Sequence, residues 1–316
     1  MVNFRSVLKK QPSICAYCML HRYQTFKEVI SNIRSNVSLE EIPFYTFSFR
    51  DSYSERQRRT IEREINNLKI KFIKQQMPRF IKEKDLFYNK THLDYVKTSF
   101  PKSRKNYLHM CNFLSDPVST PYINNYDIAV RFDDDSWFKA KIKFDFSSFF
   151  NNKDKFIATS HVHTDNILKR RETKIGFFQA TIDYCRENKI TPKYNLLAKS
   201  ISTEDLELFH QLPWTSGNFN IYKMASFKTE EWKHWRSYIE KKGGIFTNRW
   251  GDLEIIGTFF YIYYKDPIFN LDLYPNQYDQ RKDNQSIIYF KKNFIFRILS
   301  RLKRKILTVF KLLFIR

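Results

Sequence analysis

Glycine, proline and cysteine are all scarce in this chain. Six Gly and ten Pro occur among 316 residues, which excludes collagen-like, linker-rich and repeat architectures. Four Cys are too few for a disulfide framework and favour a reducing compartment. No apolar run approaches the roughly 20 residues that span a bilayer, and the start, MVNFRSVLKKQPS, lacks the apolar core of a signal peptide. We therefore expect a cytoplasmic protein without a transmembrane helix.

Two of the cysteines invite a zinc interpretation. Cys15, Cys18 and His21 have the spacing of half a zinc site, but no second pair follows at a zinc-finger distance. The stretch SICAYCML also has the length and apolarity of a buried strand. We therefore favour a strand over a structural zinc site. His161, His163 and Asp165 alternate along another strand candidate, and surface histidines are the favoured interpretation over a second metal site.

Acidic residues are scarce as well. The chain has 55 Lys and Arg against 33 Asp and Glu, a formal net charge of +22, and residues 287–316 hold nine cations and no acid. Large apolar residues recur there every three or four positions, at Phe294, Ile298, Leu302, Ile306, Val309 and Leu313. This pattern predicts a basic amphipathic helix on an anionic membrane surface, so we expect peripheral membrane association. Packing on the domain and binding of nucleic-acid phosphates are the alternatives.

Strand and helix signals alternate along residues 1–280. The run SICAYCML has the pattern of a first strand, and a stretch with helical periodicity follows it. Thr25 and Glu28 have the spacing of a capping box at the start of this helix. IPFYTFSF has the pattern of a second strand. In YDIAVRF, alternate positions are apolar, which predicts a third strand. Alternation of this kind predicts an α/β domain, with a mainly parallel sheet flanked by helices.

The second half of the domain has one very clear helix. Thr229 can cap a helix over Glu230–Lys242, and Gly243 supplies its left-handed end. A further helix is predicted near 174–187, whereas GDLEIIGTFFYIYY is typical of a loop that enters an apolar strand. Residues 69–100 show no sustained period, and we assign them to a loop with a short helix.

Three consecutive aspartates follow the strand YDIAVRF. The ligand crevice of an open parallel sheet lies beyond the carboxyl ends of its strands, where Asp133, Asp134 and Asp135 fall. Because side chains alternate, Asp133 and Asp135 can face one ion while Asp134 points aside. Carboxylates select Mn²⁺ or Mg²⁺, and an ion with so few protein ligands has room for phosphate oxygens. A solvated acidic turn is the alternative.

Four blocks carry a family resemblance: YLHMCNF at 107–113, YDIAVRFDDD at 126–135, SGNFNIYKMASF at 216–227 and YIEKKGGIFTNRWGD at 238–252. In this order and at this spacing, the chain resembles the fungal α-1,2-mannosyltransferases of glycosyltransferase family 15. The resemblance implies a GT-A fold, GDP-mannose or a related nucleotide sugar as donor, a glycan acceptor, Mn²⁺, and transfer with retention of configuration.

The resemblance also suggests roles for individual residues. Asp133 matches the family's acidic metal ligand, and Asp135 matches an Asp that follows it. Donor-binding roles are implied or suggested for Arg22, Tyr107, Arg131, Asp134 and Trp250. Asp252 and Glu254 are candidates for binding acceptor hydroxyls.

Two positions depart from the family pattern. Asn220 stands where the family has a Glu that is the usual candidate for nucleophile or stabiliser, and Ile256 stands where it has a metal-associated His. We therefore favour front-face attack, assisted by the leaving phosphate, over a covalent intermediate. An inactive relative, or a basic protein that binds or processes nucleic acid, are the alternative functions. The body without its tail has no recognisable nucleic-acid module.

Overall fold

A computed structural model describes residues 11–20, 23–37, 42–49, 56, 59–60, 63, 70–75, 104–163, 174, 176–217, 219–273 and 277–280. All structural statements below concern these residues. The basic tail at 287–316 lies outside them, so its helix and its membrane association stay predictions.

Eleven strands are present within the described residues. They are β1 (Ile14–Met19), β2 (Phe44–Phe49), β3 (Ile70–Gln75), β4 (Ile128–Asp133), β5 (Ser136–Phe138), β6 (Ile157–Thr159), β7 (Val162–His163), β8 (Trp214–Thr215), β9 (Phe219–Lys223), β10 (Ile268–Asn270) and β11 (Tyr278–Gln280). Seven of them form one sheet in the order β10-β6-β9-β4-β1-β2-β3. In that sheet β9 runs antiparallel to both of its neighbours, and the other adjacent strands are parallel. The predicted mainly parallel sheet is therefore confirmed.

The helices of the described residues are α1 (Tyr23–Val37), α2 (Arg104–Leu114), α3 (Pro121–Asn124), α4 (Phe146–Asn151), α5 (Phe177–Glu187), α6 (Asn195–Thr203), α7 (Leu206–His210), α8 (Glu230–Lys242), α9 (Gly244–Thr247) and α10 (Asp252–Tyr263). The predicted caps of α8 are confirmed. Thr229 Oγ1 accepts a hydrogen bond from the Trp232 amide, and Gly243 ends the helix at φ 69°.

The central strands β1 and β4 are covered on both faces. Ile128, Val130 and Phe132 lie in one apolar cluster, and Ala129 lies in the cluster on the other face of the sheet. This burial explains why β1 is a continuous apolar run and why β4 is apolar at successive positions from Ile128 to Val130. It also places the end of β4, and the acids that follow it, at the edge of a rigid and well-packed sheet.

The strand geometry argues against zinc at Cys15 and Cys18. The two residues are three positions apart on β1, so their side chains lie on opposite faces of the sheet and belong to different apolar clusters. Both thiols are buried, and neither forms a disulfide. They are core residues.

One predicted strand is a helix. Residues in GDLEIIGTFFYIYY form α10, which begins at Asp252 and ends at Tyr263. Ile255, Ile256 and Phe259 are all fully buried, and Trp235 Nε1 donates a hydrogen bond to the Ile255 carbonyl at 3.0 Å. A helix that is buried all round has no apolar stripe, which is why its period was not visible in the sequence.

Smaller differences concern element boundaries. β3 lies inside the stretch 69–100, which was assigned to a loop with a short helix. α1 begins at Tyr23, so Thr25 lies inside the helix and does not cap it. The predicted strand at 156–163 is divided into β6 and β7. Among the described residues, no helix is long and apolar enough to cross a membrane.

Trp250 packs into the core beside α9. Its side chain is 4% exposed, and its indole ring lies 5.2 Å from the Phe177 ring, centroid to centroid. A Cβ at Gly244 would lie 2.2 Å from two carbon atoms of this indole. Gly244 is therefore the residue that allows Trp250 to lie flat against the backbone.

We expect Gly244→Ala to destabilise the protein more than its neighbour Gly243→Ala. The first change overpacks the indole of Trp250 and should cost about 1 to 3 kcal/mol. The second meets no atom within 4 Å and should cost about 1 kcal/mol, because alanine is strained at positive φ. Urea unfolding of both variants, followed by tryptophan fluorescence, measures the two costs. Equal or reversed costs would contradict the packing described for Trp250.

Candidate active site

The three aspartates lie where β4 ends. Asp133 is its last residue, and Asp134 and Asp135 form the turn that leads into β5. The Asp133 amide donates a hydrogen bond to Ser136 Oγ at 3.1 Å, which fixes the turn. Asp133 and Asp135 are partly exposed, whereas Asp134 is 3% exposed. Asp134 is therefore directed into the protein, and the structure does not support a donor-binding role for it.

Arg131 lies beneath the acids. It is two residues before Asp133 on β4, so both side chains are on the same face of the sheet. Its guanidinium forms an ion pair with Asp252, and its second terminal nitrogen lies 3.6 Å from Asp133 Oδ1. Arg131 is 3% exposed. The donor-binding role of Arg131 stays a prediction.

The electrostatics of Asp133 indicate a shortage of positive charge. Loss of hydration raises its pKa to about 7, and the nearby guanidinium of Arg131 only partly opposes this rise. The carboxylates of Asp135, Asp252 and Asp134 raise the pKa further. The end of β4 therefore favours any additional cation.

Two loops approach this edge from the other half of the chain. Gly217 follows β8, and a Cβ there would lie 3.2 Å from Leu253 Cδ1 and 3.9 Å from Asp133 Oδ2. Asn220 stands opposite Arg131 in the pairing of β4 with β9. It is fully buried, and its Nδ2 donates a hydrogen bond to the Ser216 carbonyl at 2.7 Å.

The side chains of Asp252 and Glu254 lie in different surroundings. Asp252 is the first residue of α10, and its side chain is 10% exposed and bound to Arg131. Glu254 is partly exposed and turns back over Gly251, where a Cβ would lie 2.0 Å from its Oε2. Binding of acceptor hydroxyls by these two carboxylates stays a prediction, and Glu254 is the more exposed of the two.

Lys174 was not identified from the sequence. It is 2% exposed, and its Nζ lies 3.8 Å from the centroid of the Trp214 ring. Burial lowers its pKa to about 8, although the negative charge of Glu254 opposes the shift. Nothing in the basic stretch RRETKIG distinguishes this lysine from the other basic residues of the stretch, so no sequence signal indicated it.

The remaining predicted residues are described only in part. Arg22 lies outside the described residues, and Tyr107 is placed in α2 by its backbone alone. Trp250 is a core residue, as described above, which leaves its donor-binding role unsupported. The rings of His161 and His163 are stacked with centroids 5.7 Å apart. Asp165, the third member of that candidate site, is outside the described range.

The acids at the end of β4 fit a hard divalent cation. No group of three or more His, Cys, Asp and Glu side chains that could hold a metal ion occurs within the described part of the chain. Asp133 and Asp135 offer carboxylate oxygens only, which is the donor chemistry of Mn²⁺ and Mg²⁺ and not of zinc. With two protein ligands, an ion here would depend on its substrate for further oxygens.

Comparison with known proteins identifies the family. Residues 9–269 match the family model of the glycolipid 2-alpha-mannosyltransferases, and the chain belongs to this family, glycosyltransferase family 15. The resemblance seen in the sequence is thereby confirmed. The probable mannosyltransferase KTR3 of Saccharomyces cerevisiae is 28% identical over 154 residues, 47% of this chain and 36% of that protein.

A second curated relative is similar to the same extent. Glycolipid 2-alpha-mannosyltransferase 1 of Candida albicans is 24% identical over 152 residues, 48% of this chain and 34% of that protein. The matches thus span about a third of the length of these two relatives.

Solved structures establish the fold. The mannosyltransferase Ktr4p from S. cerevisiae superimposes with a TM-score of 0.64 at 18% identity, over 83% of this chain and 69% of its own. Core-mannan synthase A from Aspergillus fumigatus, in its Mn/GDP form, superimposes with a TM-score of 0.63 at 16% identity. The match covers 84% of this chain and 75% of that protein's chain. These likenesses confirm the predicted GT-A fold.

The buried ammonium of Lys174 predicts a pH-dependent effect on stability. Its pKa falls from 10.5 in the unfolded chain to about 8 in the folded protein. At pH 7 the group is charged in both states, and folding bears the cost of burying the charge. As the pH rises above about 8, the folded protein loses the proton first, so this cost falls and is gone only above the unfolded pKa of 10.5. We expect Lys174→Met to raise the free energy of unfolding by about 1 to 3 kcal/mol at pH 7, and by much less at pH 10.

Urea unfolding at both pH values measures this difference. The matched control is Lys228→Met, at an exposed position, where the change should be small at either pH. An effect of Lys174→Met that is the same at pH 7 and pH 10 would rule out burial of a charged ammonium at this position.

Proposed function

We propose that this chain is a metal-dependent, retaining glycosyltransferase that moves mannose from GDP-mannose onto a glycan acceptor. The observation that carries the proposal is the pair of partly exposed carboxylates, Asp133 and Asp135, at the end of a central strand in a chain of this family. Structures of two family relatives contain GDP, one of them with Mn. Both observations support a nucleotide-sugar donor.

Asp133 and Asp135 are the residues that would hold the divalent cation, either Mn²⁺ or Mg²⁺. Such a cation, when bound, neutralises negative charge that develops on a leaving diphosphate. The two carboxylates suit this purpose because, among the described residues, the cation recorded beside Asp133 is the guanidinium of Arg131, which is already paired with Asp252. Arg22 and Tyr107 stay proposed donor contacts, on the strength of the family resemblance.

Asn220 is unsuited to be a nucleophile. A side-chain amide is neutral, and this one is fully buried with its nitrogen bound to the Ser216 carbonyl. No covalent glycosyl–enzyme intermediate is therefore proposed at this position. We propose that the acceptor hydroxyl attacks the anomeric carbon from the face that the diphosphate leaves, and that the departing phosphate oxygen accepts the proton of that hydroxyl. This arrangement retains the configuration without a protein nucleophile.

Glu254 is the proposed contact for the acceptor. Its carboxylate is partly exposed and lies in the first turn of α10, two residues after Asp252. Carboxylates accept hydrogen bonds from sugar hydroxyls, and Lys174 provides a nearby countercharge. The identity of the glycan is open within this proposal.

Release of GDP from GDP-mannose is the experiment that tests this function. The full chain is incubated with Mn²⁺ and a panel of GDP- and UDP-sugars, with and without mannoside acceptors. We expect release from one donor that EDTA abolishes. Asp133→Asn should lower the rate at least about 100-fold, because it removes a charged ligand from the ion.

The matched control is Asp154→Asn. Asp154 is an exposed aspartate that interacts with Lys223, and Lys223 pairs with Ile128 at the opposite end of β4. This variant should keep the wild-type rate. Full activity of Asp133→Asn would remove the proposed metal site.

An inactive relative is the second candidate, and two observations favour it. Asn220 and Ile256 replace the family's Glu and metal-associated His, and both are fully buried. Binding of GDP and Mn²⁺ without turnover of any donor would support this candidate. Absence of donor binding, together with salt-sensitive binding of DNA or RNA, would instead favour the nucleic-acid alternative.

A further inference from the structure

Arg131 and Asp252 form a buried ion pair that connects two distant parts of the chain. They are separated by 121 positions in the sequence, yet the guanidinium and the carboxylate are in contact. Their side chains are 3% and 10% exposed. Neither group is available to a donor or acceptor molecule, so a role in the reaction would have to act through a third residue.

That third residue is Asp133. The guanidinium of Arg131 contacts Asp252 through one terminal nitrogen and points the other at Asp133 Oδ1, 3.6 Å away. The two interactions are unequal: Asp252 has the direct hydrogen bond, and Asp133 has the longer charge contact. The other carboxylate oxygen of Asp133, Oδ2, lies near Gly217, where a Cβ would be 3.9 Å from it, and the Asp133 side chain is 32% exposed.

Asp252 is itself held firmly. It is the first residue of α10, where the helix dipole favours a carboxylate. The following turns of α10 are anchored by fully buried Ile255 and Phe259, and by the hydrogen bond from Trp235 Nε1 to the Ile255 carbonyl. The carboxylate therefore lies on a rigid element and can fix the guanidinium in turn.

The surroundings of Arg131 leave it few other positions. Tyr17 stands opposite Arg131 on β1, and Asn220 stands opposite it on β9. Tyr17 and Tyr222 are each 1% exposed and interact electrostatically with the guanidinium. Asp252 is thus the anion that determines which way the guanidinium points.

We propose that Arg131 and Asp252 are positioning residues: Asp252 holds the Arg131 guanidinium close to helix α10, so that it orients the Asp133 carboxylate without neutralising it by direct contact. Asp133 keeps its outward oxygen for a divalent cation. The inference rests on the proposed function, because it assigns Asp133 to the metal. It gives Arg131 and Asp252 a role that differs from the donor binding and the acceptor binding predicted for them.

Asp252→Asn is the first test. Without the negative charge of Asp252, the guanidinium should move onto Asp133 and compete with the cation. We expect the dissociation constant of Mn²⁺, measured on the full chain by the electron paramagnetic resonance signal of free Mn²⁺, to rise about tenfold. Affinity for GDP without metal should stay at the wild-type value. A residue that contacts the donor would instead lose GDP affinity in the absence of metal as well.

A double variant separates positioning from stability. Arg131→Met with Asp252→Leu removes one positive and one negative charge, so the net charge near Asp133 is unchanged. Replacing a buried ion pair by apolar residues of similar volume is often neutral for stability, and the melting temperature should stay close to that of the wild type. The affinity for Mn²⁺ should still fall about tenfold, because nothing orients Asp133.

The control replaces another ion pair in a charge-neutral way. Arg186 and Glu204 form an ion pair in which both side chains are 57% exposed, and changing both to Gln should leave Mn²⁺ affinity unchanged. Wild-type Mn²⁺ affinity in the folded double variant would overturn the positioning role and leave the proposed function intact. A wild-type protein that binds neither Mn²⁺ nor GDP would remove the proposed function, and the positioning role with it.

Discussion

The candidate active site depends on an excess of buried negative charge at the end of β4. Asp133 interacts there with three other carboxylates and with one guanidinium, that of Arg131, and its pKa rises to about 7. Such a cluster favours uptake of either a proton or a metal cation. A divalent cation accompanied by a diphosphate is a combination that suits it, because the phosphate oxygens complete a coordination that two carboxylates leave open. The raised pKa of Asp133 and the proposed binding of a cation with a nucleotide sugar would then have the same physical origin.

The asparagine at position 220 is consistent with this charge balance. The strand pairing sets Asn220 directly opposite Arg131, whose guanidinium already serves Asp252 and Asp133. A carboxylate at 220 would add another anion to a cluster that lacks cations. It could also not donate the hydrogen bond that Asn220 makes to the Ser216 carbonyl, next to the glycine that borders Asp133. In this chain, position 220 therefore supports the loop beside the acids and has no obvious chemical role.

Local features were predictable from the sequence, and long-range contacts were not. β4 followed from the alternation in YDIAVRF, and both ends of α8 followed from Thr229 and Gly243, because strand periodicity and helix caps depend on neighbouring residues. The alternation of side chains also predicted that Asp134 would point away from the side that Asp133 and Asp135 face. The partner of Arg131 could not be deduced, since it is 121 residues away and its position is fixed by packing of the whole helix. The buried lysine at 174 escaped notice for the same reason.

The helix at α10, which was predicted as a strand, also changes how the two carboxylates of this segment are oriented. On a strand, Asp252 and Glu254 would share one face and could bind the same acceptor. On a helix, residues two apart point about 200° from one another, and the two carboxylates separate accordingly: Asp252 turns inward to the guanidinium, and Glu254 turns back over Gly251. Only the helix puts a carboxylate at the favourable amino end while it holds that carboxylate in the core. The conformation of this segment therefore brings the Asp252 carboxylate to the guanidinium that lies beside Asp133.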